Sequence, residues 1–123
     1  MERAHKKLDV WKMSIQLAKA IYDLTGRYPK EEQYGIISQM RRAATSVPAN
    51  IAEGAARRST KEFVQFLSIA GGSLSELDTF LELSLVLGFI KTEEKTNIDT
   101  IVTNVSMTLA GLMRSLIKTN DNK

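Results

Sequence analysis

The stretch RRAATSVPANIAEGAARRS, Arg41–Ser59, keeps the helical spacing of small and aliphatic residues although Pro48 stands in its middle. A proline inside a helix removes one backbone hydrogen bond and crowds the carbonyl of the preceding turn, at a cost of about 3 kcal/mol. Helical spacing resumes directly after Pro48, and no cluster of turn-forming residues surrounds it. We therefore predict one continuous helix that bends at Pro48, rather than two helices joined by a loop.

The rest of the chain shows the same helical periodicity, and no segment alternates between apolar and polar residues as a strand would. The apolar rows repeat every seven residues, which favours left-handed, coiled-coil-like packing. We predict an all-α fold, an antiparallel up-and-down four-helix bundle with a proline-kinked second helix, as a single domain over residues 1–123. The predicted helices span residues 9–26, 30–57, 60–87 and 93–118, and a polar tail follows at 119–123.

Local signals mark several helix ends. STKE, residues 59–62, is a predicted capping box: the Ser59 hydroxyl accepts from the Glu62 amide, and the Glu62 side chain reaches back. Asp9 and Thr92 are predicted N-caps, and Gly88 is a predicted C-terminal cap. Five leucines of the apolar rows are predicted to be buried: Leu67, Leu74, Leu77, Leu109 and Leu112.

The composition excludes several kinds of site. The chain has no cysteine, so disulfides and thiolate metal sites are excluded, and its one histidine, His5, lacks a second positioned ligand. We predict no cofactor, no metal and no catalytic group. The charged N-terminus is unlike a signal peptide and no apolar run is long enough to span a bilayer, so we expect a cytoplasmic protein without membrane contact. A net charge of +3 admits a polyanionic partner.

Two arginine pairs flank the proline-containing stretch and form the candidate nucleic-acid site. On a straight helix, Arg42 and Arg57 would lie within about 60° of each other and roughly 22 Å apart. Such an arrangement would make a strip of side chains that contact phosphates. The predicted nucleic-acid-binding residues are Arg41, Arg42, Arg57, Arg58 and Lys61.

The alternative interpretation is local ion pairing on a solvated helix surface. Glu53 precedes Arg57 by four residues, the favourable order for a helical ion pair. Glu62 likewise follows Arg58 by four residues, and runs of charge are usually solvated faces. Asn50 and Glu53 share a helix face, which is more typical of a structural hydrogen bond than of acid–base chemistry. Both interpretations of the arginines stay open at this point.

The longest distinctive string is YGIISQMRRAATSVPANIAEGAARRSTKEFVQFLSIAGGSLSEL, Tyr34–Leu77. It resembles the signature of the 23S rRNA intervening-sequence proteins, a bacterial four-helix-bundle family related to the accessory variability determinant of diversity-generating retroelements. LDVWKMSIQLAKAIY, Leu8–Tyr22, resembles the first helix of that family, whereas His5 stands where the resemblance leads us to expect an aromatic residue. The motif or structural residues that the resemblance implies are Pro48, Asn50, Glu53, Gly54, Ser59 and Glu62.

The resemblance implies a ring-like homopentamer, with a basic surface suited to RNA or DNA. Small residues, including Gly54, Gly71 and Gly72, favour close helix contacts and self-association on their own. Our first hypothesis is a non-enzymatic oligomer that binds nucleic acid, structured RNA above all, through its arginines and lysines. The alternative is a structural or adaptor ring that recruits a protein partner, such as a reverse transcriptase, without touching nucleic acid. An enzyme ranks third, because no nucleophile, base and orienting group assemble.

Overall fold

Four long helices make up the protein. The computed structural model describes the backbone of residues 3–121 and the side chains of residues 3–119, and no residue of that range lies in a strand. The helices are α1 (Asp9–Thr25), α2 (Ile36–Ala55), α3 (Thr60–Val86) and α4 (Thr92–Asp121), with short 3-10 helices at Ala4–Lys7 and Lys30–Glu32.

Each helix packs against two neighbours, so the four helices occupy the corners of a square. α1 contacts α2 and α4, and α3 contacts the same two helices from the opposite corner. The connections are short, and consecutive helices therefore run antiparallel. The predicted all-α four-helix bundle is confirmed. One consequence is that the starts of α1 and α3 meet the ends of α2 and α4 in one half of the bundle.

The apolar rows of all four helices meet in one core. Among its fully buried side chains are Leu17, Ile21, Met40, Ile51, Leu67, Leu77 and Leu81. The predicted burial is confirmed for four leucines, Leu67, Leu74, Leu77 and Leu109, which are at most 3% exposed. It is wrong for Leu112, which is only partly buried against the core. Beyond Leu109, no described side chain of α4 is fully enclosed by the other helices.

α2 contains the proline within an unbroken helix. It runs from Ile36 to Ala55 with Pro48 buried inside it, so the predicted continuous helix is confirmed, and the bend at Pro48 stays a prediction. The predicted start at residue 30 is too early. Lys30–Glu32 form a separate 3-10 helix, and Gly35 leaves the helical region, with φ −110° and ψ −115°, directly before α2 begins.

Both predicted N-caps, Asp9 and Thr92, are wrong by one residue. Asp9 is already the first residue of α1, because Leu8 holds the extended cap position and offers no side-chain hydrogen bond. Thr92 is likewise the first residue of α4. There the Glu94 carboxylate accepts from the Lys91 amide at 2.9 Å. A glutamate inside the first turn therefore takes over the role expected of the threonine hydroxyl.

The two ends of α3 follow their sequence signals more closely. The Ser59 hydroxyl accepts from the Glu62 amide at 3.1 Å, while the reciprocal bond to the Ser59 amide is not formed among the described residues. At the other end Gly88 has a φ of 79°, and the Phe89 amide donates to the Ser84 carbonyl at 2.9 Å. This is a Schellman motif, in which glycine supplies the left-handed residue that ends the helix.

α2 and α3 approach each other closely at Gly54. A Cβ atom at this position would lie 2.8 Å from Phe66 Cβ and 2.9 Å from Phe63 Cδ1, so only glycine fits without a shift. Gly71 and Gly72 are different, since a Cβ atom at Gly72 would meet nothing within 4 Å. The predicted close helix contact therefore explains Gly54 within the chain, but it does not explain Gly72.

α4 contains a long apolar stretch of which only a small share is buried. By length and composition alone, residues Thr92–Thr119 could cross a membrane: their most apolar 18-residue stretch has a mean hydropathy of 1.2, and 17% of it is buried. The prediction that no apolar run is long enough to span a bilayer is therefore wrong for this helix. Val105 and Leu109 attach α4 to the core, whereas Met107 and Ile117 remain 67% and 45% exposed.

Candidate nucleic-acid interface

The five predicted basic residues do not form one strip. Arg41 and Arg42 lie in the first half of α2, whereas Arg57 and Arg58 lie in the turn after that helix has ended. Lys61 follows in the first turn of α3. The angular argument for a common helix face does not apply, because the second arginine pair is outside α2. Arg42 is about 20 Å along the helix axis from Ala55, the last residue of α2, at 1.5 Å per residue.

Arg41 is used to join α1 to α2. Its Nε donates to the Thr25 hydroxyl at 2.9 Å, and its guanidinium lies 4.4 Å from the centre of the Tyr22 ring. A guanidinium over an aromatic face is attracted by the negative charge density of the ring. Arg42, the next residue, is exposed. The first arginine pair therefore combines one structural arginine with one that is available at the surface.

The second arginine pair divides in the same way. Arg57 donates to Glu53 at 2.8 Å and stacks 4.8 Å above the Phe66 ring, so the predicted ion pair with Glu53 is confirmed. The predicted pair between Arg58 and Glu62 is not among the ion pairs of the described residues. Arg58 and Lys61 are exposed, and neither has a carboxylate within 4 Å among the side chains that the structure describes. Their charge is therefore not neutralised locally.

Folding places further basic residues in the same half of the bundle as Arg58 and Lys61. We call this region the basic half: the first halves of α1 and α3, the second halves of α2 and α4, the preceding N-terminal residues and the α2–α3 turn. Its described residues contain nine basic side chains and three acidic ones. The basic ones are Arg3, Lys6, Lys7, Lys12, Arg57, Arg58, Lys61, Arg114 and Lys118, and the acidic ones are Asp9, Glu53 and Glu62. Six of the nine were not predicted as part of a site.

The opposite half of the bundle, the mixed half, has a balanced charge. It contains seven basic residues and nine acidic ones. Four of the five ion pairs of the described residues lie here, including Arg27–Glu94 at 2.7 Å and Lys95–Asp99 at 2.7 Å. The hydrogen bond from the Lys91 amide lowers the pKa of Glu94, and the bond to Asp99 raises the pKa of Lys95. The net positive charge of the protein is thus carried by the basic half.

A cavity of about 690 Å³ lies in the basic half, between the N-terminal segment and the end of α2. Arg3, His5 and Lys7 line one side, and Glu53 lines the other beside alanines of α2. His5 packs edge-on against Trp11 with ring centres 5.0 Å apart. This contact fixes the N-terminal segment against the first turn of α1, which contains Trp11. The histidine therefore packs as an aromatic residue at the position where the resemblance leads us to expect one.

Asn50 has a structural role beside Pro48. Its amide group donates to the Ser46 carbonyl at 2.8 Å and to the Ser46 hydroxyl at 2.9 Å. That hydroxyl lies 2.8 Å from the hydroxyl of Ser73 on α3. The three side chains form a polar link between α2 and α3 at the level of the proline. Asn50 is thus bonded to Ser46, and Glu53 is paired with Arg57.

Among the described side chains, no group of three histidine, aspartate or glutamate residues lies close enough to hold a metal ion. The structure thus defines a class of protein: a small antiparallel four-helix bundle whose positive charge is collected in one half.

The chain belongs to the 23S rRNA-intervening sequence protein family, whose model matches residues 6–111. A solved structure from Bacteroides thetaiotaomicron, described as a protein with unknown function from the S23 ribosomal protein family, has the same fold. It is 26% identical to this chain, with a TM-score of 0.80 over 85% of this chain and 95% of that one. No curated protein matches the chain. The predicted family is confirmed, and neither the family nor its solved member is a known enzyme.

Proposed function

We propose that this protein is a non-enzymatic, oligomeric helical bundle that acts in the cytoplasm and binds structured RNA through its basic half. One observation supports this proposal above all: the described residues of that half contain nine basic side chains and only three acidic ones. Arg58 and Lys61 are exposed there, and neither forms an ion pair with a carboxylate of residues 3–119. Phosphates bound at this surface would replace water and salt as the partners of these charges.

The proposed contact is to the phosphate backbone rather than to particular bases. Lysine and arginine side chains that neutralise phosphates release condensed counterions, so the affinity falls as salt is added. Phosphate contacts position a protein but carry no sequence information. We therefore expect the affinity for RNA to depend little on sequence, and the affinity for DNA to be equal or lower.

The experiment is a salt titration of RNA affinity. Each lost phosphate contact should flatten the slope of log affinity against log salt by about 0.7 to 0.9. We expect the double substitution Arg58→Ala and Lys61→Ala to flatten the slope by up to twice this amount. The matched control is Lys30→Ala with Lys91→Ala, which removes the same charge from exposed positions in the mixed half. Equal effects of both double variants would contradict a site in the basic half.

The ion pair between Glu53 and Arg57 provides a second variant. Glu53→Gln keeps the side-chain size but removes the carboxylate that lies 2.8 Å from Arg57. The freed guanidinium becomes available to phosphate, so we expect RNA affinity to stay the same or rise. A clear loss of affinity, with unchanged helix content, would mean that the ion pair itself is needed for the binding surface.

Self-association is the second part of the proposal, and the homopentamer is the state that the family resemblance implies. The outer face of α3 and α4 supports it, because apolar side chains there have no cover within the chain. Val86 is 75% exposed, Met107 67% and Ile69 52%. Gly72 lies on the same outer side of α3 with open space around it. Light scattering at micromolar concentration tests this: a monomer contradicts it, and another oligomer contradicts only the pentamer.

The same apolar face supports the second candidate function, an adaptor ring that recruits a protein partner such as a reverse transcriptase. An exposed apolar surface is typical of protein contacts rather than of RNA contacts. The two functions separate in the salt titration. If the oligomer binds neither RNA nor DNA at low ionic strength, the basic half is a solvated surface and the adaptor function becomes the better proposal.

A further inference from the structure

A second cavity, of about 480 Å³, lies in the mixed half between the end of α1 and the start of α2. Its volume falls within the range of small-molecule sites, which is about 300 to 1,000 Å³. The side chains that line it are aromatic, cationic or hydrogen-bonding, with a single aliphatic residue, Ile37, at the base. The residues that carry the argument are Tyr22, Gln33, Tyr34, Ser38, Arg41 and Arg42.

Two tyrosines at this cavity contribute little to the core. Tyr34 is 91% exposed in the turn before α2, and Tyr22 is 45% exposed on α1. Single exposed aromatic residues are ordinary on protein surfaces. These two differ because they line one cavity together and stand beside two arginines. Exposed aromatic faces next to positive charge are the usual elements of a site for unpaired nucleotides.

Arg41 is held in place before any ligand arrives. Thr25 accepts from its Nε at 2.9 Å, and the Tyr22 ring lies 4.4 Å below its guanidinium. The plane of an arginine held in this way can support a nucleobase on its other side. Because Arg41 already has a fixed geometry, little conformational entropy remains to be lost when a base stacks on it.

We propose that this cavity binds one unpaired nucleotide of an RNA, which extends the proposed function and rests on it. The base stacks on Tyr34, and the layer of Tyr22 and Arg41 is its second contact. The amide of Gln33 and the hydroxyl of Ser38 can pair with polar atoms at the edge of the base. Arg42, which is exposed and has no carboxylate within 4 Å among the described residues, contacts the phosphate.

The composition of the cavity favours a nucleotide over an apolar segment of a protein. A docking protein would need a continuous aliphatic surface, and here Ile37 is already buried in the core. Planar ligands gain most from aromatic and guanidinium faces, and a phosphate gains from Arg42. The basic half lacks this combination, because its arginines and lysines have no fully exposed tyrosine beside them. The basic half would therefore contact the phosphate backbone of the RNA, and the cavity of the mixed half would bind an unpaired base.

The experiment compares two RNA ligands of equal charge, a hairpin with an unpaired adenine loop and a blunt duplex with the same number of phosphates. We expect the wild-type protein to bind the looped RNA at least tenfold more tightly. Tyr34→Ala should remove most of this preference, a change of roughly 10-fold to 100-fold for one lost stacking partner, while duplex affinity stays constant. Tyr34→Phe retains the aromatic face and should retain the preference.

The outcomes separate this inference from the proposed function. If wild type binds both RNAs equally, or if Tyr34→Ala keeps the preference, the inference is wrong while RNA binding by the basic half stands. If neither RNA binds, both proposals fail. If Tyr34→Ala changes the oligomeric state instead of the preference, Tyr34 belongs to a contact between protein chains and the inference is again wrong. Because Tyr34 is almost fully exposed, the substitution should leave helix content unchanged.

Discussion

The basic half and the mixed half of the bundle use charge in opposite ways. The mixed half has more charged residues, but they are nearly balanced and supply four of the five described ion pairs. The basic half has fewer charges, yet three times as many basic as acidic ones among its described residues. The comparison shows that the number of charged residues in a region does not by itself indicate a binding surface. What matters is whether the fold brings an acidic partner within reach.

The largest expected effect lies in the core that both halves share. Leu77 is fully buried, and Leu77→Ala removes its contacts without adding any, so the free energy of unfolding should fall by about 2–5 kcal/mol. Urea denaturation measures this change. Hydrogen exchange should become faster in both halves together. Faster exchange in one half only would mean that the two halves are separate folding units, which would alter the comparison.

A smaller loss is expected at the helix contact of the basic half. Gly54→Ala places a Cβ atom 2.8 Å from Phe66 Cβ, so we expect a loss of about 1–3 kcal/mol from overpacking. Gly72→Ala is the matched control, because its Cβ atom meets no atom within 4 Å. In the isolated chain it should raise the stability by up to about 1 kcal/mol through helix propensity. Stability changes of the same sign for both variants would contradict the close approach at Gly54.

The oligomer adds a second measurement to the Gly72 control. If Gly72 lies in a contact between copies, Gly72→Ala should weaken assembly while it stabilises the isolated chain. Sedimentation velocity at several concentrations separates the two effects. Normal assembly of this variant would exclude Gly72 from a tight subunit contact.

The mixed half should respond to acid through Glu94. The pKa of this carboxyl group is lowered below its usual value of 4.5, first by the bond from the Lys91 amide and then by Arg27. A carboxyl group whose pKa is lower in the folded state stabilises the protein at any pH above its unfolded-state pKa. This stabilisation is lost as the pH falls through the folded-state pKa. Thermal denaturation between pH 7 and pH 3 should therefore show that the protein loses stability below about pH 4.5. The loss of stability should be smaller in Glu94→Gln.

The smallest effect is expected from charge repulsion in the basic half. Replacement of Arg58 and Lys61 by glutamine reduces repulsion among exposed positive charges, so the melting temperature at low salt should rise slightly. The rise should stay below about 4 °C, because the repulsion at two exposed positions contributes less than about 1 kcal/mol in total. Added salt should abolish it by screening. A fall in the melting temperature at low salt would mean that these two residues have acidic partners in the assembled protein.

Most of the fold could be predicted because its signals are local. Seven-residue rows identify a buried stripe on each helix, and the predicted capping serine, Ser59, and terminal glycine, Gly88, act on the nearest turn. The start of α2 was missed because Gly35 interrupts a segment that otherwise has helical composition. Leu112 was misjudged for a different reason. Its row is apolar, but burial depends on whether another helix covers it, and α4 is only partly covered there.

The candidate site was less predictable, because its partners are distant in sequence. Arg57 and Glu53 are four residues apart, so their ion pair could be predicted from helix geometry. Arg41 instead bonds to Thr25, sixteen residues away on another helix, and no local pattern indicates such a contact. The positions of Tyr22 and Tyr34 at one cavity likewise depend on how α1 meets the start of α2.

Local patterns in the amino-acid sequence specify four antiparallel helices, with Pro48 inside the second and the features of the family along most of the chain. Helix periodicity and capping depend on neighbours a few residues away, so the order of residues along the chain is enough to specify them. The packing of the helices against one another sets which charges stay unpaired and which half of the bundle is basic. It also sets which glycine lies in close contact with a neighbouring helix. These properties depend on distances between helices, because electrostatic attraction and steric contact act through space and not along the chain.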